Sequence, residues 1–244
     1  VPQSDTFDCT VKCYAGKVRC GDFATVVPID KQRCFAIVLD GGGHGVPGVA
    51  QCHAVGSAIR AAVAASTDAL MAPDGVFNAI NRMIAVSPAR QVLPCVYVAI
   101  DLSAKKLVYI NAGGVNPMLL AGPGRVVGLD QISLILGVDK DYSYGVNRVD
   151  LPDAFRLICL TDGFVEAVNT GGEAIGDRRL HDALLELEDL PSATAIMSKI
   201  AEVWTAHMGG AAGDDDATTR LIEYHSRARR FWIGWSTQRS KAKA

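Results

Sequence analysis

The order of strand-like and helix-like stretches is what most constrains the fold of this chain. Apolar, β-branched runs bounded by turn residues occupy 7–14, 23–29, 34–39, 93–102, 107–111, 117–120, 147–151, 155–160 and 218–224. Each reads as a strand. Short polar links at Asp30-Lys31-Gln32 and Ser103-Ala104-Lys105-Lys106 suit antiparallel hairpins. A helix starting at Pro47 carries Val49, Cys52, Val55, Ile59 and Val63 at helical spacing, and a second, capped by Asp74, carries Val76, Ile80, Met83 and Ile84. Two more helices come late, one from about Asp177 with Leu180, Leu184 and Leu187, the other after Ser192 with Ile196, Ile200, Val203 and Trp204. Strands that alternate strictly with helices make a parallel doubly wound sheet, and this order does not. It predicts an α+β fold of mainly antiparallel sheets packed together and flanked by helices.

Charge is distributed unevenly. Residues 226–244 carry six Arg or Lys and no acid, leaving 18 basic against 26 acidic residues in the body. An acidic body argues against a nucleic-acid footprint and is compatible with bound cations. The seven cysteines contain no C-x-x-C pair, which argues against zinc fingers and redox dithiols and fits buried thiols in a reducing compartment, the cytoplasm. No apolar run reaches the length of a membrane-spanning helix. The chain starts at Val1 rather than Met, so it reads as a piece of a longer protein.

Four segments place an aspartate where a strand begins or ends: Gly21-Asp22, Asp40-Gly41-Gly42-Gly43-His44-Gly45, Thr161-Asp162-Gly163 and Gly213-Asp214-Asp215-Asp216. Taken singly, an Asp-Gly pair is an ordinary turn. Together, acids at neighbouring strand ends converge on one sheet edge, and the adjacent glycines permit close backbone approach. Clustered carboxylates repel unless cations neutralise them, and oxygen donors suit hard ions such as magnesium, manganese or calcium.

Read in order, Gly21-Asp22-Phe23, Asp40-Gly41-Gly42-Gly43-His44-Gly45-Val46-Pro47, Asn111-Ala112-Gly113, Leu160-Thr161-Asp162-Gly163-Phe164-Val165-Glu166-Ala167 and Asp215-Asp216-Ala217-Thr218 resemble the bacterial protein phosphatase 2C superfamily. The closer resemblance is to its stage II sporulation protein E type. It spans about residues 7–225, leaving 226–244 as a basic, aromatic tail. It implies a four-layer αββα sandwich with two divalent cations, Mn2+ or Mg2+, at one edge. By motif, Asp40 would bridge them, the Gly41 carbonyl would ligate one, Asp22 would serve the metal nearer the first strand, and Asp162 and Asp215 would complete the other. Asp40 and Asp162 are thus the implied catalytic residues. His44 is a further candidate, to orient water or protonate the leaving oxygen, against a structural role in its glycine turn. The implied activity is hydrolysis of phosphoserine or phosphothreonine on a small regulatory protein, an anti-sigma-factor antagonist by analogy. The resemblance also implies control by an attached sensor or receiver domain and allows a homodimer.

The chain departs from the pattern in three places. Thr25 stands where a second acid is common, Gly114 where the asparagine-alanine-glycine segment usually continues with histidine, and Pro94-Cys95 where a threonine often enters the middle strand. These keep open a catalytically weak or inactive module that binds partners. Lys12, Lys17 and Arg19 lie upstream of Asp22, either as surface charges or near a bound phosphate. Leu134-Ile135-Leu136-Gly137 reads as a structural turn, and His53, His181, His207 and His225 as structural or exposed. In the tail, Trp232 and Trp235 suit a membrane, protein or nucleic-acid surface, or a terminal helix docked on its own domain. The docked helix is the simpler expectation.

Overall fold

The computed structural model describes residues 8–14, 21–41, 46–88, 91–122, 124–186, 193–209, 217–225 and 235–237. The chain opens with strands β1 (Asp8–Tyr14), β2 (Phe23–Pro28) and β3 (Arg33–Leu39), followed by helices α1 (Val46–Ala64), α2 (Thr67–Met71) and α3 (Asp74–Ala85). Next come β4 (Cys95–Asp101), β5 (Lys106–Ala112), β6 (Met118–Gly122), β7 (Arg125–Gly128), β8 (Ile132–Ser133), β9 (Asn147–Asp150) and β10 (Ala154–Leu160). The last elements are α4 (Asp162–Val165), α5 (Gly176–Leu185), α6 (Ala193–Met208), β11 (Ala217–His225) and β12 (Trp235–Thr237).

Among the described residues the strands form two sheets. One runs β12-β1-β11-β10-β6-β7; the other runs β2-β3-β4-β5-β8, with β9 also pairing with β5. Pairing is antiparallel except where β8 joins β5 and β12 joins β1. The alternation of side chains explains the layering. On β3, Phe35, Ile37 and Leu39 face a core shared with α1 and α3, whereas Cys34, Ala36 and Val38 face the other sheet. On β10, Phe155, Leu157 and Cys159 join that inter-sheet core, and Ile158 and Leu160 pack towards α5 and α6. The result is a four-layer αββα sandwich, as the element order and the resemblance led one to expect. Because both faces of the central strands are covered, β3 and β4 read as continuous apolar runs.

The β2–β3 hairpin sets the register that the candidate site uses. Asp30 Oδ1 accepts from the Gln32 and Arg33 N–H groups at 2.8 Å each, and Arg33 Nη2 donates to Asp30 Oδ2 at 2.7 Å. The Arg33 hydrogen bond, then that of Gln32, holds the Asp30 carboxyl below the usual carboxylate range. A depressed carboxylate pKa supports the fold above that range, and the support is lost as pH falls through the lowered value.

Two details were not expected from the sequence. Trp235–Thr237 is a strand beside β1 rather than part of a terminal helix. Helix α3 takes Pro73 as its N-cap and Asp74 in its first turn. The four cysteines whose side chains are described, Cys34, Cys52, Cys95 and Cys159, are buried, as the sequence led one to expect. Among the described residues no helix is long and apolar enough to cross a membrane.

Asn81 of α3 is fully buried and ties the helix to the 134–144 segment. Its Nδ2 donates to the Asp139 carbonyl at 2.7 Å, and its Oδ1 accepts from Gly137 N–H at 2.8 Å. Gly137 has φ +91°, a conformation suited to glycine, so Asn81 holds the turn from outside it. Asn81→Ala leaves both backbone groups without this partner. A loss of roughly 1–3 kcal/mol is expected in chemical denaturation, and unchanged stability would show that the tie is dispensable.

Candidate active site

The hairpin register brings the first two acids together. In the β2–β3 ladder Phe23 pairs with Leu39, so one rung further Asp22 lies opposite Asp40, and one more sets Gly21 opposite Gly41. The backbones converge there. A Cβ on Gly41 would sit far inside the van der Waals radius of the Gly21 carbonyl oxygen, and one on Gly21 would be 3.1 Å from the Gly41 oxygen. Gly41 N–H faces Asp22 Oδ1 at 3.4 Å. On its other side Asp40 N–H donates to the Pro94 carbonyl at 3.1 Å, extending the β3–β4 ladder by one rung. Asp22 and Asp40 are both buried.

The second sheet supplies Asp162. Strand β10 ends at Leu160, and Asp162 opens the short helix α4. Phe164 anchors this helix: it is fully buried and meets Trp204 of α6 edge-on, with ring centroids 6.2 Å apart. Asp162 Oδ1 is buried without a hydrogen-bond partner among the described residues.

Asp40 and Asp162 line one cavity of about 230 Å3 between matching ends of the two sheets. Glu166 and Asp177 line it as well, and among the described residues no Lys or Arg does. Val96, Val115, Ile132 and Val165 provide apolar wall, and the 113–116 segment after β5 closes one side. That segment is shaped by Asn111, which is fully buried. Asn111 Oδ1 accepts from Gly114 N–H at 2.8 Å, and its Nδ2 donates to the Gly114 carbonyl and to Asn116 Oδ1 at 3.0 Å each.

Behind the first two acids lies Cys52 of α1, whose Sγ donates to the Leu39 carbonyl at 3.8 Å. Burial, then the charge of Asp22, and more weakly that of Asp40, pushes this thiol up to about 12. It stays protonated at neutral pH and is not a nucleophile.

The acids fit a hard cation in kind. They are oxygen donors, Asp40 and Asp162 line a cavity with no lining Lys or Arg among the described residues, and Asp162 Oδ1 has no partner among them. Among the described residues no three His, Cys, Asp or Glu side chains are gathered closely enough to hold an ion. The structure thus pairs Asp22 with Asp40 and Gly41 and sets Asp162 on the cavity wall. His44 and Asp215 lie outside the described residues, as do the side chains of Lys12, Lys17, Arg19 and His225. Of the other histidines, His207 is buried, with Nε2 2.9 Å from the Glu173 carbonyl, and His53 meets Phe23 edge-on. Sequence reading did not single out Asp177 or Asn116 as cavity residues. Asp177 looks like any first-turn acid, and Asn116 depends on a contact with Asn111 that spacing does not reveal.

The fold is that of the protein phosphatase 2C domains. The chain belongs to the stage II sporulation protein E (SpoIIE) family, whose model matches residues 30–225. Similar solved structures include the SiaA-PP2C domain of Pseudomonas aeruginosa, with 21% identity over 88% of this chain and 85% of that one, and a TM-score of 0.74. The PP2C phosphatase domain of SpoIIE from Bacillus subtilis, solved with a fragment of its regulatory domain, gives 16% identity, 91% and 62% coverage, and a TM-score of 0.75. RsbX in complex with magnesium gives 14%, 92% and 98% coverage, and 0.66. No curated protein matches the chain.

The glycine contact is open to a direct test. Gly41→Ala must push the 21 and 41 rungs apart and so separate Asp22 from Asp40. Affinity for Mn2+ in calorimetry should fall at least about tenfold, the scale on which misplaced metal-supporting groups act. Gly75→Ala in α3, where a Cβ meets nothing within 4 Å, should leave that affinity unchanged.

Proposed function

We propose that this chain is a metal-dependent serine/threonine phosphoprotein phosphatase. The carrying observation is the acidic cavity at matching ends of the two sheets, lined by Asp40 and Asp162 and, among the described residues, by no Lys or Arg. In a SpoIIE-family chain this is the expected place for two divalent cations, Mn2+ or Mg2+. Asp22, Asp40, the Gly41 carbonyl, Asp162 and Asp215 would hold them.

When bound, the cations acidify a water and neutralise charge on the phosphoryl oxygens. The chain's own residues supply placement. The backbone of Asp40 is held by its N–H bond to the Pro94 carbonyl and follows directly on the Phe23–Leu39 pair, which sets where its carboxylate starts from. Asp162 is fixed by the buried Phe164 anchor. Water attacks phosphorus in line, the bond to the serine oxygen breaks, and the leaving oxygen takes a proton, from His44 or from solvent. The products are inorganic phosphate and the free hydroxyl, and no protein nucleophile takes part. The substrate class is a small phosphorylated regulatory protein, an anti-sigma-factor antagonist by analogy. Regulation by an attached domain fits the fact that one similar structure includes part of a regulatory domain.

Hydrolysis of p-nitrophenyl phosphate and of a phosphoserine peptide tests this reading. Activity should require Mn2+ or Mg2+ and disappear with EDTA. Asp40→Asn should lower kcat by at least about a hundredfold, as expected for loss of a group that organises transition-state charge. Metal-independent turnover, or an unaffected Asp40→Asn, would remove the proposal. Mn2+ uptake without turnover would instead mark a partner-binding module, the reading that Thr25 and Gly114 keep open.

A further inference from the structure

Asn116 borders the acidic cavity with an amide whose orientation is fixed from the backbone outward. The N–H of Gly114 can only donate, so the Asn111 atom that meets it is Oδ1. The other end of the Asn111 amide is therefore Nδ2, which donates to the Gly114 carbonyl and reaches Asn116 at 3.0 Å. Because that nitrogen offers only protons, Asn116 must meet it with Oδ1. This leaves Asn116 Nδ2, with two N–H donors, making no hydrogen bond to the described residues. Gly113, at φ +78°, carries the turn that places Asn116 on the cavity wall.

The polarity of that donor is unusual for its surroundings. Among the described residues the charged groups lining the cavity are Asp40, Asp162, Glu166 and Asp177, all acceptors. Thr161, the other described lining side chain with a donor, is buried. A phosphate monoester entering here brings only acceptor oxygens of its own. Cations on the aspartates would answer one side of it, and the 113–116 side offers the Asn116 amide.

We propose that Asn116 is a substrate-positioning residue whose Nδ2 donates to a non-reacting phosphoryl oxygen of the phosphoserine. This rests on the phosphatase reading above. A hydrogen bond to a charged oxygen in a partly enclosed site accounts for about tenfold to a hundredfold in affinity. Because it forms with substrate and product alike, its loss falls on KM and on phosphate inhibition more than on kcat.

The diagnostic variant is Asn116→Asp. It keeps an oxygen to accept from Asn111, so the loop retains its hydrogen bond, but the donor is gone. Asn116→Ala removes the donor without adding charge and separates loss of the bond from repulsion. In the Mn2+-loaded protein both variants should raise the inhibition constant of inorganic phosphate and the KM for a phosphoserine peptide by about tenfold or more. Mn2+ affinity by calorimetry should not fall in either. Wild-type phosphate inhibition and KM, within about twofold, in both variants would overturn the inference while leaving the phosphatase reading intact. A wild-type protein that binds Mn2+ but neither binds phosphate nor turns over substrate would overturn both.

Discussion

The approach of Gly21 to Gly41 is the constraint on which the candidate site depends. Two carboxylates at strand ends do not converge of themselves, since their charges oppose it. Here the β2–β3 ladder ends at Phe23 and Leu39, and its register carried on sets Asp22 opposite Asp40 and Gly21 against Gly41. The final rung is so close that only hydrogen fits between the Gly41 Cα and the Gly21 carbonyl. The Asp30 turn at the far end of the hairpin fixes the pairing from which these rungs follow. A slip of one residue would rotate every side chain of β3 to the opposite face. Phe35, Ile37 and Leu39 would then leave the helix core, so the burial of three large side chains also guards the placement of one carboxylate.

Asp162 is tied to Asp40 through a different part of the fold. Facing sheets pack about 10 Å apart, a spacing set by the side chains between them. That layer includes Val38 and Val96 from one sheet and Leu157 and Cys159 from the other. The two acids emerge from the ends of this layer, so their separation is a property of the inter-sheet core rather than of any local motif. The cavity between them is the space left where the layer runs out.

Much of the architecture was legible because the central strands carry long apolar runs and the long helices carry apolar residues at helical spacing. The runs around Phe35, Tyr97 and Leu157 needed no further context. What escaped was short or depended on distant partners. Strands β7 and β8 span four and two residues, too few for a period to show. Helix α4 is a single turn inside the Thr161-to-Ala167 segment and has no periodicity of its own. The tie from Asn81 to Gly137 joins residues 56 apart, and a sequence pattern does not display such a bond. The acid-glycine segments were legible as candidates because glycine beside a strand end has a physical use. The pairing of Asp22 with Asp40 follows from the register alone.

Gly114 shows why a departure from a family pattern needs its surroundings before it is read as a loss. Where related chains often carry histidine, a Cβ at this position would lie 2.7 Å from Val96 Cγ2. Val96 is buried in the inter-sheet core, so it has little room to yield. The Gly114 N–H and carbonyl are both bonded to Asn111, which draws the loop against the strand and makes glycine the residue that fits. The same Asn111 amide turns Asn116 so that its nitrogen is left over on the cavity wall. The loop thus carries no side chain at 114 and sets the Asn116 amide on the cavity wall two residues later. A missing histidine is weak evidence for an inactive site when the backbone that lacks it presents another polar group to the same space.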